Sequence, residues 1–249
     1  MADRQMYIRG TGISFQNPED ALTFGYEGCD MQAELLPAGL RRRTSVATKV
    51  AFAAAERACR SAGADPSALA SVFTSSLGEI GVTDRLCGDI AHERFPVSPT
   101  QFHNSVHNTA SGYWSIAVES RKPAMAMGAY HDGFALGLLE AWCQLQCGEQ
   151  EILLVCYEET PAQLMLPDNH WIGCATAFVL SLEKASESQA WAIRIPFSES
   201  HNRSDDGFGA VSPALSAMSL LKAVHGGGSG KIRISPDGET VWFTELSPV

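Results

Sequence analysis

The sequence GAYHDG, residues 128–133, contains the side chains best placed for chemistry. Small residues precede it and apolar residues at helical spacing follow it, which predicts a strand, a sharp turn and a helix. Such a turn presents a side chain at a helix N-terminus, where the helix dipole helps to activate a nucleophile. His131 and Asp132 supply two members of a hydrolase-like triad, and Ser105 or Ser111 would be the third. The segment has no serine of its own, which argues against a hydrolase elbow.

Two residue pairs have spacings that suggest metal binding. His103 and His107 are four residues apart, as are Cys143 and Cys147. On a helix this spacing places both side chains on one face, where they could ligate one ion. No acidic or thiol ligand is in register with the histidines, and no second pair supports the cysteines. We therefore expect neither a metal nor a cofactor, and interpret the histidine segment as a hydrogen-bonded network.

Cys156, Glu158 and Glu159 lie at the end of the apolar run EILLVCY. The run is typical of a strand buried in the middle of a sheet, and open α/β sheets often place function at such strand ends. Packing of the thiol in the core and solvation of the two carboxylates is the interpretation we favour. The GGGSG sequence at 226–230 resembles a phosphate-binding loop, but it follows a helix instead of opening one, so a connector is favoured.

Composition narrows the classes of function. The 249 residues carry a formal net charge of −10, which argues against a nucleic-acid partner. No run reaches the roughly 18–20 apolar residues needed to cross a membrane, and MADRQMYIRG lacks a signal core. Seven scattered cysteines indicate a reducing compartment, so we expect a cytoplasmic protein. A basic cluster, Arg41–Arg43 with Lys49 nearby, fits either a docking site for an acidic carrier or phosphate, or a solvated helix start.

The first half of the chain predicts a strand at 5–16, broken by two glycines, and a loop at 17–43. A helix then starts at a Thr44–Ser45 cap and ends at Gly63. A buried strand with a Gly turn follows within 68–80, and another helix runs from Thr83 through Ala91.

A polar helix is predicted after Pro99. Its polar residues are Asn104, Ser105, His107, Asn108, Thr109 and Ser111, and the apolar residues among them are Phe102, Val106, Tyr113 and Trp114. A helix with polar groups all round faces a partner, a cavity or water. A solvent-facing helix and an interface helix are both compatible with this pattern.

The second half predicts a short strand at 124–127, a helix at 133–147 and the strand EILLVCY. Strands at 173–183 and 190–197 are expected to be antiparallel neighbours, with loops at 161–170 and 200–209. A helix capped by Ser212 and stopped by Gly226 precedes a hairpin with a turn at 236–238. We predict one α/β domain over residues 1–249, a mixed sheet packed by helices with a C-terminal β-hairpin.

Four stretches together resemble the N-terminal half of the β-ketoacyl synthases, which have a thiolase-like fold. They are SPTQFHNSVHNTASGYWSI, the turn and helix from GAYHDG onward, the strand ending in CYEETP, and CATAFVLSLE. The synthases show an SP…N…AG…SI stretch, a TACSS-type turn, a GD-x-x-x-x-x-GG strand and an EGAGVLVLE strand in that order. The resemblance covers about residues 5–185 and rests on order and spacing. It implies half of a thiolase-like fold.

The turn departs from the family at its nucleophile. Counting back from Gly148, the position of the synthases' cysteine falls on His131, or on Tyr130 if the alignment slips by one residue. Neither can carry an acyl group as a thiolate does. Cys143 and Cys147 would lie roughly 18–24 Å further along the helix. The family's catalytic histidines and lysine belong to a C-terminal half, and the chain ends about where that half would begin. The resemblance therefore implies no catalytic residue in this chain.

Non-catalytic relatives of this kind are chain-length factors, which pair with an active β-ketoacyl synthase and shape its acyl tunnel. The resemblance implies such a heterodimer in an aryl polyene, type II polyketide or fatty-acid-like pathway, with an acyl carrier protein reaching the complex. Interface and tunnel residues would be Phe102, Asn104, Val106, His107, Asn108, Thr109, Gly112 and Tyr113. Val106 is similar to the gating position of condensing enzymes, and Asn108 and Gly112 resemble the family's own Asn and Gly.

Two other functions stay open on the sequence. One is a stand-alone acyl-transfer or hydrolytic enzyme that uses His131, Asp132 or Cys156. The other is a homo-oligomeric protein that binds an acyl chain. Because half of a thiolase-like fold would leave a large apolar face uncovered, we also expect instability or self-association of the chain by itself.

Overall fold

The structure, a computed structural model, describes residues 5–162, 171–184, 191–200, 212–235 and 240–249. Three predicted connections fall wholly or mostly outside these ranges: the loops at 161–170 and 200–209 and the turn at 236–238. None of the helices within the described ranges combines the length and apolar character that a bilayer crossing requires.

Strands and helices alternate through most of the described chain. The strands are β1 (Gln5–Phe15), β2 (Ala70–Thr74), β3 (Ala124–Met127), β4 (Glu151–Glu158), β5 (Cys174–Ser181), β6 (Trp191–Arg194), β7 (Phe197–Ser200), β8 (Gly230–Arg233) and β9 (Thr240–Pro248). The helices are α1 (Pro18–Phe24), α2 (Ala38–Arg41), α3 (Val46–Ala62), α4 (Ile80–Ala91), α5 (Pro99–Asn104), α6 (Thr109–Ala117), α7 (Gly133–Gln146) and α8 (Met218–Gly226). Short 3₁₀ turns occupy Pro66–Ala68, Tyr130–Asp132 and Pro213–Ala217.

All strands belong to one mixed sheet, in the order β3-β2-β4-β5-β1-β6-β9-β7, with β8 also paired to β9. β2 is parallel to both β3 and β4, whereas the remaining pairs are antiparallel. The mixed sheet and the C-terminal hairpin of β8 and β9 are confirmed. Because β2, β3 and β4 are parallel, their carboxyl ends meet at one edge of the sheet.

The predicted pairing of 173–183 with 190–197 is wrong, because β1 lies between β5 and β6. Tyr7 is opposite Ser181 on one side of β1 and opposite Ala192 on the other. The prediction assumed that strands close in sequence pair with each other. The eleven-residue β1 instead pairs along both of its edges, with β5 on one side and β6 on the other.

Helices cover both faces of the sheet. On one face, α3 and α6 pack through Phe52 and Trp114, whose rings meet edge-to-face with centroids 5.2 Å apart. On the other face, α7, the turn at 213–217 and α8 cover the sheet, and Phe134 of α7 packs on Phe178 of β5 with ring centroids 5.4 Å apart. β4 is buried along almost its whole length because side chains on both of its faces contact helices, which explains its unbroken apolar sequence.

Helix α3 lies on β1 with almost no side chain between them. A Cβ atom built on Gly12 would lie 2.0 Å from the carbonyl oxygen of Ala54, and one on Gly10 would lie 2.5 Å from that of Ala58. The predicted break at the two glycines is wrong: β1 continues through both of them, with a shift of register between Ile8 and Gly10. They allow the backbones of helix and strand to touch.

The face of α3 turned away from the sheet is covered by residues 31–40. Ala33 and Leu36 pack into the α3 cluster, and Arg57 donates to the carbonyl oxygen of Asp30 at 2.6 Å. The backbone N–H of Leu35 donates to Glu56 at 2.9 Å. The chain therefore covers this face of α3 with its own residues.

Helix boundaries differ from the predictions in four places. The predicted loop at 17–43 contains α1 and α2, which at seven and four residues are too short for a periodic signal. The predicted polar helix after Pro99 is two helices, α5 and α6, separated at residues 105–108. α4 begins at Ile80 rather than Thr83. Ser212 makes no side-chain cap, and Gly227, with φ +73°, ends α8.

The Gly12→Ala substitution should destabilise the fold by about 3 kcal/mol or more, because the added methyl overlaps a backbone oxygen that cannot move without shifting α3. Urea unfolding monitored by circular dichroism measures the loss. Gly39→Ala is the control, since a Cβ there meets nothing within 4 Å. Equal unfolding midpoints for the two variants would contradict the tight contact.

Candidate functional site

The carboxyl edge of β2, β3 and β4 gathers the predicted functional residues. β2 continues into a loop at Ser75–Glu79, β3 leads into the turn at 128–132, and β4 ends at Glu158 with Glu159 next. We call residues 75–79 the junction loop, because it contacts each of the other segments. Sequence reasoning missed it: TSSLGE shows a Gly turn but gives no sign of its partners.

The turn before α7 is a strand-to-helix elbow, as predicted, and we call residues 128–132 the elbow. Tyr130 has a left-handed backbone with φ +46°, which is unusual for a residue with a large side chain. Its carbonyl oxygen accepts a hydrogen bond from Ser76 Oγ at 2.8 Å. The junction loop therefore holds the elbow in its strained form.

His131 is half-buried between two aromatic rings. Its centroid lies 4.0 Å from that of Tyr130 and 6.1 Å from that of Trp171. Its Nδ1 is buried and has no hydrogen-bond partner among the described residues. Burial lowers the pKa of His131, and Asp132 beside it opposes that shift. An imidazole in this setting is neutral at pH 7 and packs as an aromatic ring.

The hydrolase-like triad does not form. Ser105 Oγ donates to the carbonyl oxygen of Phe102 at 2.8 Å, and Ser111 Oγ donates to that of Asn108 at 3.0 Å. Both hydroxyls bond to the backbone three residues earlier, as serines near helix ends commonly do. Neither serine is hydrogen-bonded to His131.

Thiols do not replace the missing nucleophile. Cys156 is buried, and burial raises the pKa of its thiol to about 12, so almost no thiolate exists at neutral pH. Burial also raises the pKa of Cys174. Cys143 and Cys147 are exposed at the opposite end of α7 from the elbow. The elbow thus presents aromatic and acidic groups, without a nucleophile of the thiolate kind.

Glu158 ties the junction loop to β4. Its side chain is fully buried and accepts hydrogen bonds from the N–H of Ser76, the N–H of Leu77 at 3.3 Å and Ser75 Oγ at 3.1 Å. Burial raises the pKa of Glu158 to about 7, although these donors favour the carboxylate. The predicted solvation of this carboxylate is wrong. It belongs to a buried network.

Glu159 and Glu79 extend this network towards the helices. Glu159 accepts from the N–H of Gly81 at 2.6 Å, in the first turn of α4. Burial raises its pKa, while the N–H groups of Gly81 and Ala47 lower it, so the carboxylate serves the N-termini of α4 and α3 together. Its predicted solvation is also wrong. Glu79 accepts from Thr48 Oγ1 at 2.8 Å, and burial raises its pKa to about 7.

His107 connects the predicted interface segment to the junction loop. Its Nε2 lies 2.9 Å from the carbonyl oxygen of Ser75. The ring fits between Gly78 and Gly128, where a Cβ would lie 3.1 Å and 3.4 Å from its atoms. His103 packs instead against Tyr113, with centroids 6.2 Å apart. The break between α5 and α6 separates the two histidines, so they do not form a common metal site.

The predicted interface residues divide into a buried and an exposed set. Asn104 is buried, donates to the carbonyl oxygen of Arg43 at 2.5 Å, and accepts from Tyr113 Oη at 2.8 Å. Thr109 is buried and donates to the carbonyl oxygen of Val106 at 2.8 Å. Phe102, Val106 and Asn108 are exposed, with Gly112 beside them. Hydrogen bonds inside the protein therefore account for the buried polar residues of the segment. Its exposed residues form an outward face.

This outward face is apolar. Phe102, Val106, Ile116, Met125 and Tyr130 each expose between 42% and 71% of their surface, and we call them the apolar face. An open groove of about 190 Å³ is lined by His103, Val106, Asn108, Thr109, Gly112, Tyr113 and Ile116. Next to it, β3 pairs with β2 alone among the described strands, so its other edge is open.

The basic cluster splits between two roles. Arg41 donates to the carbonyl oxygens of Ala33 and Leu36 at 2.7 and 3.0 Å, and so holds the cover of α3. Arg42 and Arg43 line a cleft of about 240 Å³ together with Arg85. The remaining lining residues are Thr44, Ser45, Val82, Ser98, Thr100, Gln101 and Asn104, and none of them is acidic.

Comparison with known proteins identifies the kind of fold. Residues 16–234 match the family model of the β-ketoacyl synthase N-terminal domain. A solved ketosynthase (ApeO) in complex with its chain length factor (ApeC) from Xenorhabdus doucetiae is 19% identical, with a TM-score of 0.72 over 97% of this chain and 99% of that chain. No curated protein matches the sequence.

Two further structures are similar. The ishigamide ketosynthase/chain length factor is 18% identical, with a TM-score of 0.62 over 90% of this chain and 74% of that chain. AntDE:AntF, a type II PKS acyl-carrier protein in complex with its ketosynthase bound to the hexaketide, is 10% identical, with a TM-score of 0.74 over 99% of both chains. At these identities the likeness establishes the fold, which is the thiolase-like fold of ketosynthases and chain length factors.

Because burial raises the pKa values of the carboxyl groups, we predict that their contribution to the free energy of unfolding falls as the pH rises. Glu79 titrates near 7 when folded, against an ordinary value of 4.5, so the folded state binds its proton more tightly. Its stabilising contribution is complete below pH 4.5 and is lost as the pH rises through 7, a change of roughly 3 kcal/mol. The Glu79→Gln variant should lose about this much of the decline in unfolding free energy between pH 5 and 8.

Chemical denaturation at several pH values tests this expectation. Glu34→Gln, at an exposed carboxylate on the cover of α3, is the control and should keep the wild-type profile. A Glu79→Gln profile parallel to wild type would show that Glu79 is ionised in the fold.

Proposed function

The chain belongs to the family of β-ketoacyl synthase N-terminal domains, and on that premise we propose that it is a non-catalytic, chain-length-factor-type subunit. It pairs with an active β-ketoacyl synthase and forms part of the wall of that enzyme's acyl pocket. Its contribution is steric: it shapes the space into which the partner extends an acyl chain, and makes no bonds itself.

The observation that carries this proposal is an elbow that keeps its shape without a nucleophile. The junction loop still holds the strained turn before α7, yet the turn presents Tyr130, His131 and Asp132. A condensing enzyme needs a thiolate there to accept the acyl group. His131 and Tyr130 are the proposed counterparts of that position, and neither supplies one.

The apolar face supports a protein partner. Exposed apolar groups that lie side by side mark interaction surfaces in soluble proteins. Phe102 and Val106 lie on the α5 side of this face, and Ile116 and Met125 lie on α6 and the open β3 strand. We propose that the partner synthase covers these residues and pairs its own sheet edge with β3. The described structures of ketosynthases with chain length factors have the same fold.

The groove beside Val106 supports a role in the acyl pocket. Its lining includes Val106, Gly112 and Ile116, which offer apolar contact to a hydrocarbon chain. Asn108 and Thr109 line it as well. Gly112 has no atom within 4 Å of where a Cβ would stand, so the groove has room at this point.

The basic cleft supports delivery of the acyl group by a carrier. Arg42, Arg43 and Arg85 concentrate positive charge in a protein of net charge −10. An acyl carrier protein with acidic side chains would be attracted there electrostatically. We place the complex in the cytoplasm and in carrier-dependent elongation of an aryl polyene, polyketide or fatty-acid-like chain.

Co-expression with a candidate β-ketoacyl synthase is the direct test. We expect a 1:1 complex in size-exclusion chromatography with light scattering, and a synthase that is insoluble or inactive when made alone. Turnover of an acyl substrate by this chain alone, abolished by His131→Ala, would replace the proposal with a stand-alone enzyme. A stable homo-oligomer that binds acyl chains and ignores the synthase would replace it with a binding protein.

Val106→Trp in the complex should shorten the products, because the larger ring fills the groove in which the growing chain ends. Product lengths are measured by mass spectrometry after in vitro elongation. Ile90→Trp is the control, since Ile90 is exposed on α4 and does not line the groove. Unchanged product lengths in Val106→Trp would remove the groove from the acyl pocket.

A further inference from the structure

We infer that Tyr130 is an aromatic anchor that this chain inserts into the partner synthase. The inference rests on the proposed function and adds a residue to it, on the elbow itself. In a subunit without a nucleophile, the elbow would then present an aromatic ring to the partner, where the elbow of a condensing enzyme presents a thiol to the substrate.

The backbone of Tyr130 is the first indication. Among the residues that the structure describes, three other than glycine have positive φ angles: Glu93 (φ 53°), Glu119 (φ 55°) and Tyr130 (φ 46°). Glu93 and Glu119 lie just after α4 and α6, where a left-handed residue commonly ends a helix. Tyr130 precedes α7, so helix termination does not account for it. Strain of this kind in a bulky residue persists where the surroundings enforce it, and it clusters at functional sites.

The surroundings of the elbow do enforce it. Ser76 Oγ donates to the carbonyl oxygen of Tyr130, and the backbone N–H of Ser76 donates to the buried Glu158. Ser75, the preceding residue, binds Glu158 and His107. The turn is thereby fixed by the buried carboxylate network and by the interface segment at the same time.

The direction of the ring is the second indication. Tyr130 exposes 55% of its surface, and its phenol oxygen has no hydrogen-bond partner among the described residues. A strained residue that served the core would bury its side chain, and a strained residue that served only the turn would be glycine or asparagine. Here a large aromatic side chain is held in an unfavourable backbone conformation and presented to the outside.

The ring is also pre-organised. His131 meets it edge-to-face at 4.0 Å between centroids, and Trp171 lies 6.0 Å away. These contacts limit its rotamers before any partner binds. Exposed Tyr side chains that are already ordered lose little entropy on binding and are enriched among the residues that dominate interface energies.

Tyr130 is continuous with the rest of the apolar face. His107, the neighbour of Val106 in the chain, packs against Gly128 in the elbow, two residues before Tyr130. Met125 belongs to the open β3 strand, which leads directly into the elbow. A partner that covers Val106 and pairs with β3 therefore also contacts Tyr130. The synthase, which is the proposed partner at those two places, is thus the protein that would bind the Tyr130 ring.

The experiment compares co-purified complexes of the full chain with the synthase. Dissociation constants come from dilution series in size-exclusion chromatography, and melting temperatures of the separated chain come from circular dichroism. Tyr130→Gly removes the ring and relieves the positive φ. Tyr130→Phe keeps the ring and the strain. Glu93→Gly relieves a positive φ outside the apolar face and is the matched control.

We expect Tyr130→Gly to weaken the complex at least tenfold without lowering the melting temperature of the chain. Tyr130→Phe should retain wild-type affinity within about threefold, and Glu93→Gly should not change it. Wild-type affinity in Tyr130→Gly, or a loss of affinity that tracks a fall in melting temperature, would overturn the inference. If the wild-type chain forms no complex, the proposed function fails first and the inference fails with it, whereas a wild-type complex indifferent to Tyr130→Gly removes the inference alone.

Discussion

At Gly10 and Gly12 the backbone of β1 touches the backbone of α3, and the position of α3 beside the site depends on that contact. It sets α3 close enough to the sheet for its opposite face to be covered by residues 31–40. It also fixes where the N-terminus of α3 lies, next to Glu159 and Glu79. A side chain at either glycine would lift the helix and carry the carboxylate network away with it.

Three buried glutamates then organise the carboxyl edge of the sheet. Glu158 holds the junction loop, Glu159 serves the N-termini of α3 and α4, and Glu79 binds Thr48 on α3. Burying carboxyl groups is unfavourable unless donors surround them, and here the donors are backbone N–H groups and hydroxyls that would otherwise be unsatisfied. The network pairs the carboxyl groups with these donors and thereby ties four segments of the chain together: β4, the junction loop, α3 and α4.

The junction loop couples the two surfaces that the proposed function uses. One of its sides contacts His107 in the interface segment and the other contacts Tyr130 in the elbow. In an enzyme, such a strand-to-helix turn aims a nucleophile at a substrate. In this chain the same rigid support is available to aim an aromatic ring at a partner, because rigidity serves binding as well as catalysis.

The sequence alone determined the features that depend on neighbouring residues. Ser45 and Gly63 mark the ends of α3, the unbroken apolar run marks β4, and the small residues before GAYHDG mark the elbow. The missing thiol at the elbow was also visible, because the identity of a residue does not depend on the fold. The resemblance in motif order led to the correct family.

Tertiary structure decided whatever depends on residues far apart in sequence. The bonded residues Ser76 and Glu158 are 82 positions apart, and His107 and Ser75 are 32 positions apart. No local sequence pattern can predict a hydrogen bond over such a separation. The sequence places Glu158 and Glu159 after a buried strand and so predicts that they are solvated, yet donors from the junction loop and from α4 make their burial possible. β1 lies between β5 and β6 because it pairs along both of its edges. This pairing is set when the sheet assembles and does not follow from which strands are close in sequence.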